Sequence, residues 1–156
     1  MNESVARPPD CFGCRNTDTP ELPVRERIIQ TDHWRLAHAF NTSWPGWLVL
    51  LPTAHATALA ELEPPAAVDL GPLLRDVSAA LQEVVGCVKT YVVLFAEAEG
   101  FSHLHFHVIP RAAEMPHEVQ GPRVFQMLGL PPDQCVAEAE MDRIGTRVRE
   151  VLTAVR

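Results

Sequence analysis

The chain has 156 residues, 47% of them hydrophobic, and a formal charge of −7 with a single lysine, Lys89. That length is enough for one domain that buries about two-thirds of its unfolded surface. The acidic balance argues against duplex nucleic acid or an anionic membrane as partner, and no apolar run approaches the ~18 residues of a membrane span.

From the N-terminus, residues 1–10 are polar with Pro8-Pro9 and are expected to be disordered. They lack the basic-then-apolar pattern of a secretion signal, so a cytoplasmic location is expected. A single domain then occupies residues 11–156. It opens on Cys11-Phe12-Gly13-Cys14. In a reducing compartment this spacing reads as metal-binding or redox rather than as a disulfide. A thioredoxin-like dithiol would open a helix, whereas Gly13 and the prolines that follow predict none here. Tetrahedral zinc, which needs two further ligands, is the favoured reading, with a dithiol or an empty surface pair as the alternatives.

Val24 to Gln30 can form a first strand. His33 to Phe40 alternates loosely and suggests a second. Asn41 to Pro45 reads as a turn, and the apolar run Gly46-Trp47-Leu48-Val49-Leu50-Leu51, closed by Pro52, predicts a buried central strand. Leu70, Leu73, Val77, Leu81 and Val84 recur at helical spacing within Leu59 to Gly86. Either the helix begins at Pro72 or an earlier turn is kinked there, and Gly86 is a C-terminal stop. Thr90 to Phe95 predicts a strand, and the acidic loop Glu97 to Gly100 follows. Residues 112–121 are irregular. Val124 to Leu130 is a short apolar piece between prolines. Met141, Ile144, Val148, Val151 and Val155 mark a last helix within Val136 to Val155. About five largely sequential strands, one inserted helix and one trailing helix make an α+β domain on an antiparallel sheet.

The most specific stretch is Phe101 to Arg111, in which His103, His105 and His107 stand at i, i+2 and i+4. A strand puts these imidazoles on one face and Leu104, Phe106 and Val108 on the other. A row of neutral-range imidazoles can ligate metal, bind phosphate or attack it. The plainer alternative is a His-rich solvated face. A three-histidine catalytic metal site is the least favoured alternative, because three same-face ligands on a strand spread over about 13 Å. His33, His38 and His117 are isolated and are expected to be solvated or half-buried. Trp34, Trp44 and Trp47 suit core or interface, although Trp44 or Trp47 could line a nucleotide pocket.

His103-Leu104-His105-Phe106-His107-Val108-Ile109 resembles the signature of the histidine triad (HIT) superfamily, His-x-His-x-His-x-x with apolar x. The resemblance implies the HIT fold and a homodimer with a continuous sheet. It also implies a nucleotide or dinucleotide substrate. Several zinc-bearing members, and the related galactose-1-phosphate uridylyltransferases, pair a Cys-x-x-Cys with a His three residues after a strand-closing proline and with the first triad His. Carried over, that makes Cys11, Cys14, His55 and His103 the ligands of a structural zinc. The resemblance further implies that His105 attacks the α-phosphorus of a nucleotide derivative to give a nucleotidyl-histidine. The His103 carbonyl would orient it, and His107 would hydrogen-bond a non-bridging oxygen.

The chain departs from the family in the approach to the triad, because Tyr91 to Gly100 lacks the Asn, Ser or Gln that often contacts phosphate there. Ser102 has the wrong parity to share the histidine face. Gly46-Trp47 stands where many members have Gly-His. Asn41 is the candidate for a ribose or base contact. The expected activity is nucleotide hydrolysis or nucleotidyl transfer. The alternative is a zinc-stabilised nucleotide-binding or scaffold protein without significant turnover.

Overall fold

A computed structural model describes residues 7–155; positions 1–6 of the expected tail lie outside the described residues. Strands β1 (Ile29–Gln30), β2 (Trp34–His38), β3 (Leu48–Pro52), β4 (Lys89–Leu94) and β5 (Phe106–Arg111) form one sheet in the order β1-β2-β3-β5-β4. Every neighbouring pair is antiparallel. Helix α2 (Pro64–Val85) is inserted between β3 and β4, and helix α3 (Glu138–Ala154) trails the sheet. This is the expected α+β architecture. Among the described residues no helix is long and apolar enough to cross a membrane.

Strand parity divides the sheet into two faces. Leu36, Leu48, Leu50, Phe106 and Val108 meet Leu73, Val77, Ala80 and Leu81 of α2 and Ile144, Val148 and Leu152 of α3 in the main core. Each fully buried Leu or Val there contributes ~1.5–3 kcal/mol. The opposite face carries a second cluster, Ala39, Trp47, Ile109, Met115 and Val124, at one end. At the other end it opens into a cleft.

Several elements differ from expectation. A short helix α1 (Phe12–Asp18) follows Cys11, whose sulfur caps it by accepting the Cys14 N–H at 3.5 Å. Gly13 does not break it but lets it approach the sheet, since a Cβ there would lie 3.0 Å from the His103 ring. The first downstream proline, Pro20, falls after the helix has ended. The strand expected over residues 24–30 shrinks to Ile29–Gln30, because Val24–Glu26 winds into a 3-10 turn after Pro23. Helix α2 starts earlier than Pro72, on Pro64-Pro65, and runs through Pro72. Pro72 and Gly71 are exposed, so water can satisfy the carbonyl that the proline leaves unbonded. Gly86 ends α2 with φ +71°, as expected of a left-handed cap. In α3 the stripe closes on buried Leu152 and leaves Val155 66% exposed.

The triad is only partly in the sheet. β5 begins at Phe106, and its ladder with β3 starts from the Leu50–Phe106 pair. Upstream the Leu104 N–H bonds to the Ala56 carbonyl at 2.7 Å, outside the ladder. Residues 103–105 are therefore held against the chain that follows Pro52, and only His107 sits within regular strand. Pro110 lies beyond the β3 partner residues, so its missing N–H costs no ladder bond there.

Candidate active site and metal centre

Four side chains from distant segments meet beneath α1. One potential ligand atom each from Cys11, Cys14, His55 and His103 lies within 4.8 Å of the others. The His103 Nδ1 is 3.3 Å from Cys11 Sγ and 3.6 Å from Cys14 Sγ; the His55 Nδ1 is 3.4 Å from Cys14 Sγ. A tetrahedral zinc with ~2.3 Å Zn–S and ~2.0 Å Zn–N bonds separates its ligands by roughly 3.3–3.8 Å, so the cluster fits. The His103 Nε2–H donates to the Pro52 carbonyl at 2.9 Å, which leaves Nδ1 as the ligand atom. Without a cation, burial pushes the Cys14 thiol up to about 11, and the neighbouring Cys11 adds to it. Burial also lowers His103 to about 4, with the backbone bond to Pro52 opposing the shift. A Cys2His2 cluster so placed is a structural metal site, and its donor set is that of zinc.

Buried Arg35, on β2, ties this corner together. Its guanidinium donates to the Gly13 carbonyl at 3.3 Å, the Thr17 hydroxyl at 3.2 Å and the Glu26 carbonyl at 2.6 Å. It thereby clamps α1, with Cys14, onto the sheet.

The cleft lies beside the cluster and encloses about 310 Å³. His103, His105 and His107 lie along one side, and Asn41, Glu97 and Leu128 also line it. Phe12, Phe40 and Phe101 form an aromatic wall with ring centroids 5.6–5.9 Å apart. Phe95 and Phe125, 5.3 Å apart, face it from the other end. Phe95 is 59% exposed. Ser102 is exposed. Ala96, with φ +53°, turns the chain out of β4 into the acidic loop, where both Glu97 and Glu99 are exposed.

The His105 Nδ1–H donates to the His103 carbonyl at 2.7 Å, so the Nε2 lone pair is the free end of that ring. His107 packs edge-on to His105 with centroids 4.8 Å apart. Trp47 donates its Nε1–H to His107 Nδ1 at 3.0 Å. Burial is the main reason that His107 is pushed down to about 3, with the nearby His105 adding to it, so the ring is neutral at physiological pH. The site thus holds an imidazole lone pair beside a neutral imidazole N–H, both next to an apolar cleft.

The remaining histidines split. His33 is half-buried and His117 exposed, as expected. His38 is buried at 2% exposure, contrary to expectation. Its Nδ1–H donates to the Ala39 carbonyl at 2.8 Å, and its Nε2 accepts the Gly46 N–H at 2.9 Å. It bridges the two ends of the β2–β3 connection, and both partners come from that turn. Neither Trp44 nor Trp47 lines the cleft; Trp44 donates to the Pro110 carbonyl at 2.7 Å. The phenylalanine wall carried no sequence signal, because its three rings come from three separate segments.

An antiparallel sheet with three alternate histidines on the edge of a cleft, and a Cys2His2 cluster built on the first of them, defines a histidine triad protein. Residues 23–114 match the HIT domain family model, and the chain belongs to that family. It is 28% identical over 134 residues to the galactose-1-phosphate uridylyltransferase of Haemophilus influenzae, covering 80% of this chain but only 38% of that relative. Among solved structures, a histidine triad protein of Sinorhizobium meliloti is 26% identical with a TM-score of 0.65, covering 80% of this chain and 87% of that one. A zinc-bound histidine triad family protein of Mycobacterium smegmatis shares the fold at 15% identity, with a TM-score of 0.65 and coverage of 93% and 94%.

Proposed function

We propose that the protein is a nucleotide hydrolase or nucleotidyl transferase in which His105 is the nucleophile. The observation that carries this is the 2.7 Å bond from His105 Nδ1–H to the His103 carbonyl. It commits the second ring nitrogen to a lone pair beside the cleft, as attack on phosphorus requires. The His105 Nε2–P bond forms as the bond from the α-phosphorus to the leaving group breaks. Water or a second phosphate then takes the nucleotidyl group and frees the histidine. His107 donates its N–H to a non-bridging oxygen. The aromatic wall suits a nucleobase, and Asn41 suits a ribose or base contact. The likeness to a uridylyltransferase supports transfer as well as hydrolysis.

Zinc at Cys11, Cys14, His55 and His103 would hold α1 and His103 in place, and through the His103 carbonyl it would orient His105. Among the described residues the four cysteines form no disulfide, which suits a reducing, cytoplasmic setting. A homodimer can form through the edge strand β4, where Val92 and the flanking Val88 and Phe95 are exposed. The protein should release nucleoside monophosphate from an adenosine phosphoramidate or a dinucleoside polyphosphate, and His105→Ala should abolish this without unfolding the chain. Activity above a tenth of wild type in that variant would remove His105 from the role. The approach to the triad offers Phe95, Ala96, Glu97 and Ala98 in place of side-chain amides and hydroxyls. A zinc-stabilised binding protein is thus the reading left standing if the wild type binds nucleotide but never turns it over.

A further inference from the structure

We propose that Trp47 is a positioning residue that locks His107 into the tautomer with its proton on Nε2, and so makes it a one-way donor toward the cleft. The inference rests on the proposed reaction for its purpose but not for its geometry. The indole Nε1–H lies 3.0 Å from His107 Nδ1. An indole nitrogen donates and never accepts, so Nδ1 must be the acceptor and the single proton of the neutral ring must sit on Nε2. A histidine, serine or water in the same place could give or take a proton and would leave either tautomer open.

Packing removes the other escapes. Trp47 is fully buried, and His107 is 6% exposed. The two rings meet edge-on at 5.7 Å and 86°. Phe125 stands perpendicular to both, 5.4 Å from Trp47 and 5.1 Å from His107. Flipping the imidazole would set a C–H against the indole donor and leave that buried N–H without a partner. His107 makes no other side-chain hydrogen bond among the described residues, so the cleft is where its Nε2–H is spent. His105 and His107 are therefore set in opposite senses, each through its Nδ1. A backbone acceptor at His105 frees a lone pair, and an indole donor at His107 frees a proton. With the wrong tautomer, His107 would present a lone pair to a phosphate oxygen and repel it.

The test uses full-length zinc-loaded protein and two variants. In Trp47→Phe an aromatic ring remains and the donor is lost; in Trp47→His a ring that can donate or accept replaces the obligate donor. Long-range 15N–1H NMR reads the His107 tautomer without any substrate. The expected results are a pure Nε2–H tautomer in the wild type, a mixture in Trp47→Phe, and only a partial return toward Nε2–H in Trp47→His. On an adenosine phosphoramidate, kcat should fall by ~10- to 100-fold in Trp47→Phe with KM within about threefold, and Trp47→His should regain only part of it. An Nδ1–H tautomer in the wild type overturns the proposal, and that measurement needs no variant to fold. So does folded Trp47→Phe with the wild-type tautomer or an undiminished kcat. If the wild type turns over no nucleotide while the tautomers behave as expected, the functional assignment fails and the lock stands.

Discussion

Gly13→Ala probes the metal site through packing alone, without replacing a ligand. The added Cβ would lie 3.0 Å from both Cγ and Nδ1 of His103 and 3.1 Å from Leu51 Cδ1. Ordinary carbon contacts lie near ~3.5–4.0 Å, so the imidazole or helix α1 must give way by about half an ångström. Zinc sites tolerate only about ±0.2 Å in ligand distance. Overpacking of this kind costs ~1–3 kcal/mol, and replacing a helical glycine by alanine returns up to ~1 kcal/mol. A net cost of ~1–2 kcal/mol on the zinc-bound form weakens zinc binding by about 5- to 30-fold. In the metal-free protein the His103 ring keeps its Pro52 carbonyl bond but no metal bond, so the ring should shift more easily and part of the penalty should relax. The assay is competition for zinc with a chromogenic chelator, together with melting curves before and after metal removal. Gly13→Ala should lose more stability in the loaded protein than in the stripped one, with Cys14→Ser as the ligand-loss reference. Unchanged zinc affinity and an unchanged melting temperature in the loaded variant would refute the close packing of α1 on His103.

His38 gives a pH prediction. Its burial pushes the imidazole down from its ordinary 6.5 to about 4 in the folded protein. Because the folded value is depressed, this stability is complete above about pH 6.5 and is lost as pH falls toward 4, at ~1.4 kcal/mol per pH unit and ~3 kcal/mol in all. His107 adds its own loss as the solution is acidified. His38→Asn should therefore flatten the dependence of unfolding free energy on pH between 6.5 and 4 by about one proton, measured by urea titration at several pH values; an unaltered slope would show that His38 is not buried neutral. In the acidic loop, Glu97→Gln with Glu99→Gln should raise the rate on a dinucleoside polyphosphate relative to a phosphoramidate, and more so at low salt, since a carboxylate ~6–8 Å from polyphosphate repels it by up to about 2 kcal/mol. An unchanged ratio at both salt levels would leave the loop as a linker.

The parts legible in the sequence were those written in local pattern. The period-two histidines, the apolar run 46–51, the stripes of α2 and α3 and the glycine stop at Gly86 all depend on neighbours within a few residues. Cys11 and Cys14 announced a metal pair, and resemblance supplied His55 and His103. Helix α1 was missed because Gly13 reads locally as a breaker, while its reason lies 90 residues away in the His103 ring. The start of β5 was misjudged because Leu104 bonds to Ala56, a long-range partner that no local period reveals. The burial of His38 depends on two backbone groups of the following turn that satisfy both ring nitrogens at once. The Trp47–His107 bond spans 60 positions and joins an aromatic that looked like core to a histidine that looked like chemistry.

The proposed reaction runs through a covalent nucleotidyl-histidine at His105. The most direct measurement is intact-mass and peptide mass spectrometry of the zinc-loaded protein, quenched in alkali within the first turnovers on an adenosine phosphoramidate. A phosphorus–nitrogen adduct survives those conditions. The expected result is an increment of one adenylyl group on the peptide containing Phe101 to Arg111, assigned to His105 and absent from His105→Ala. Release of nucleoside monophosphate at a full rate with no such adduct, or with the adduct on another residue, would contradict the account.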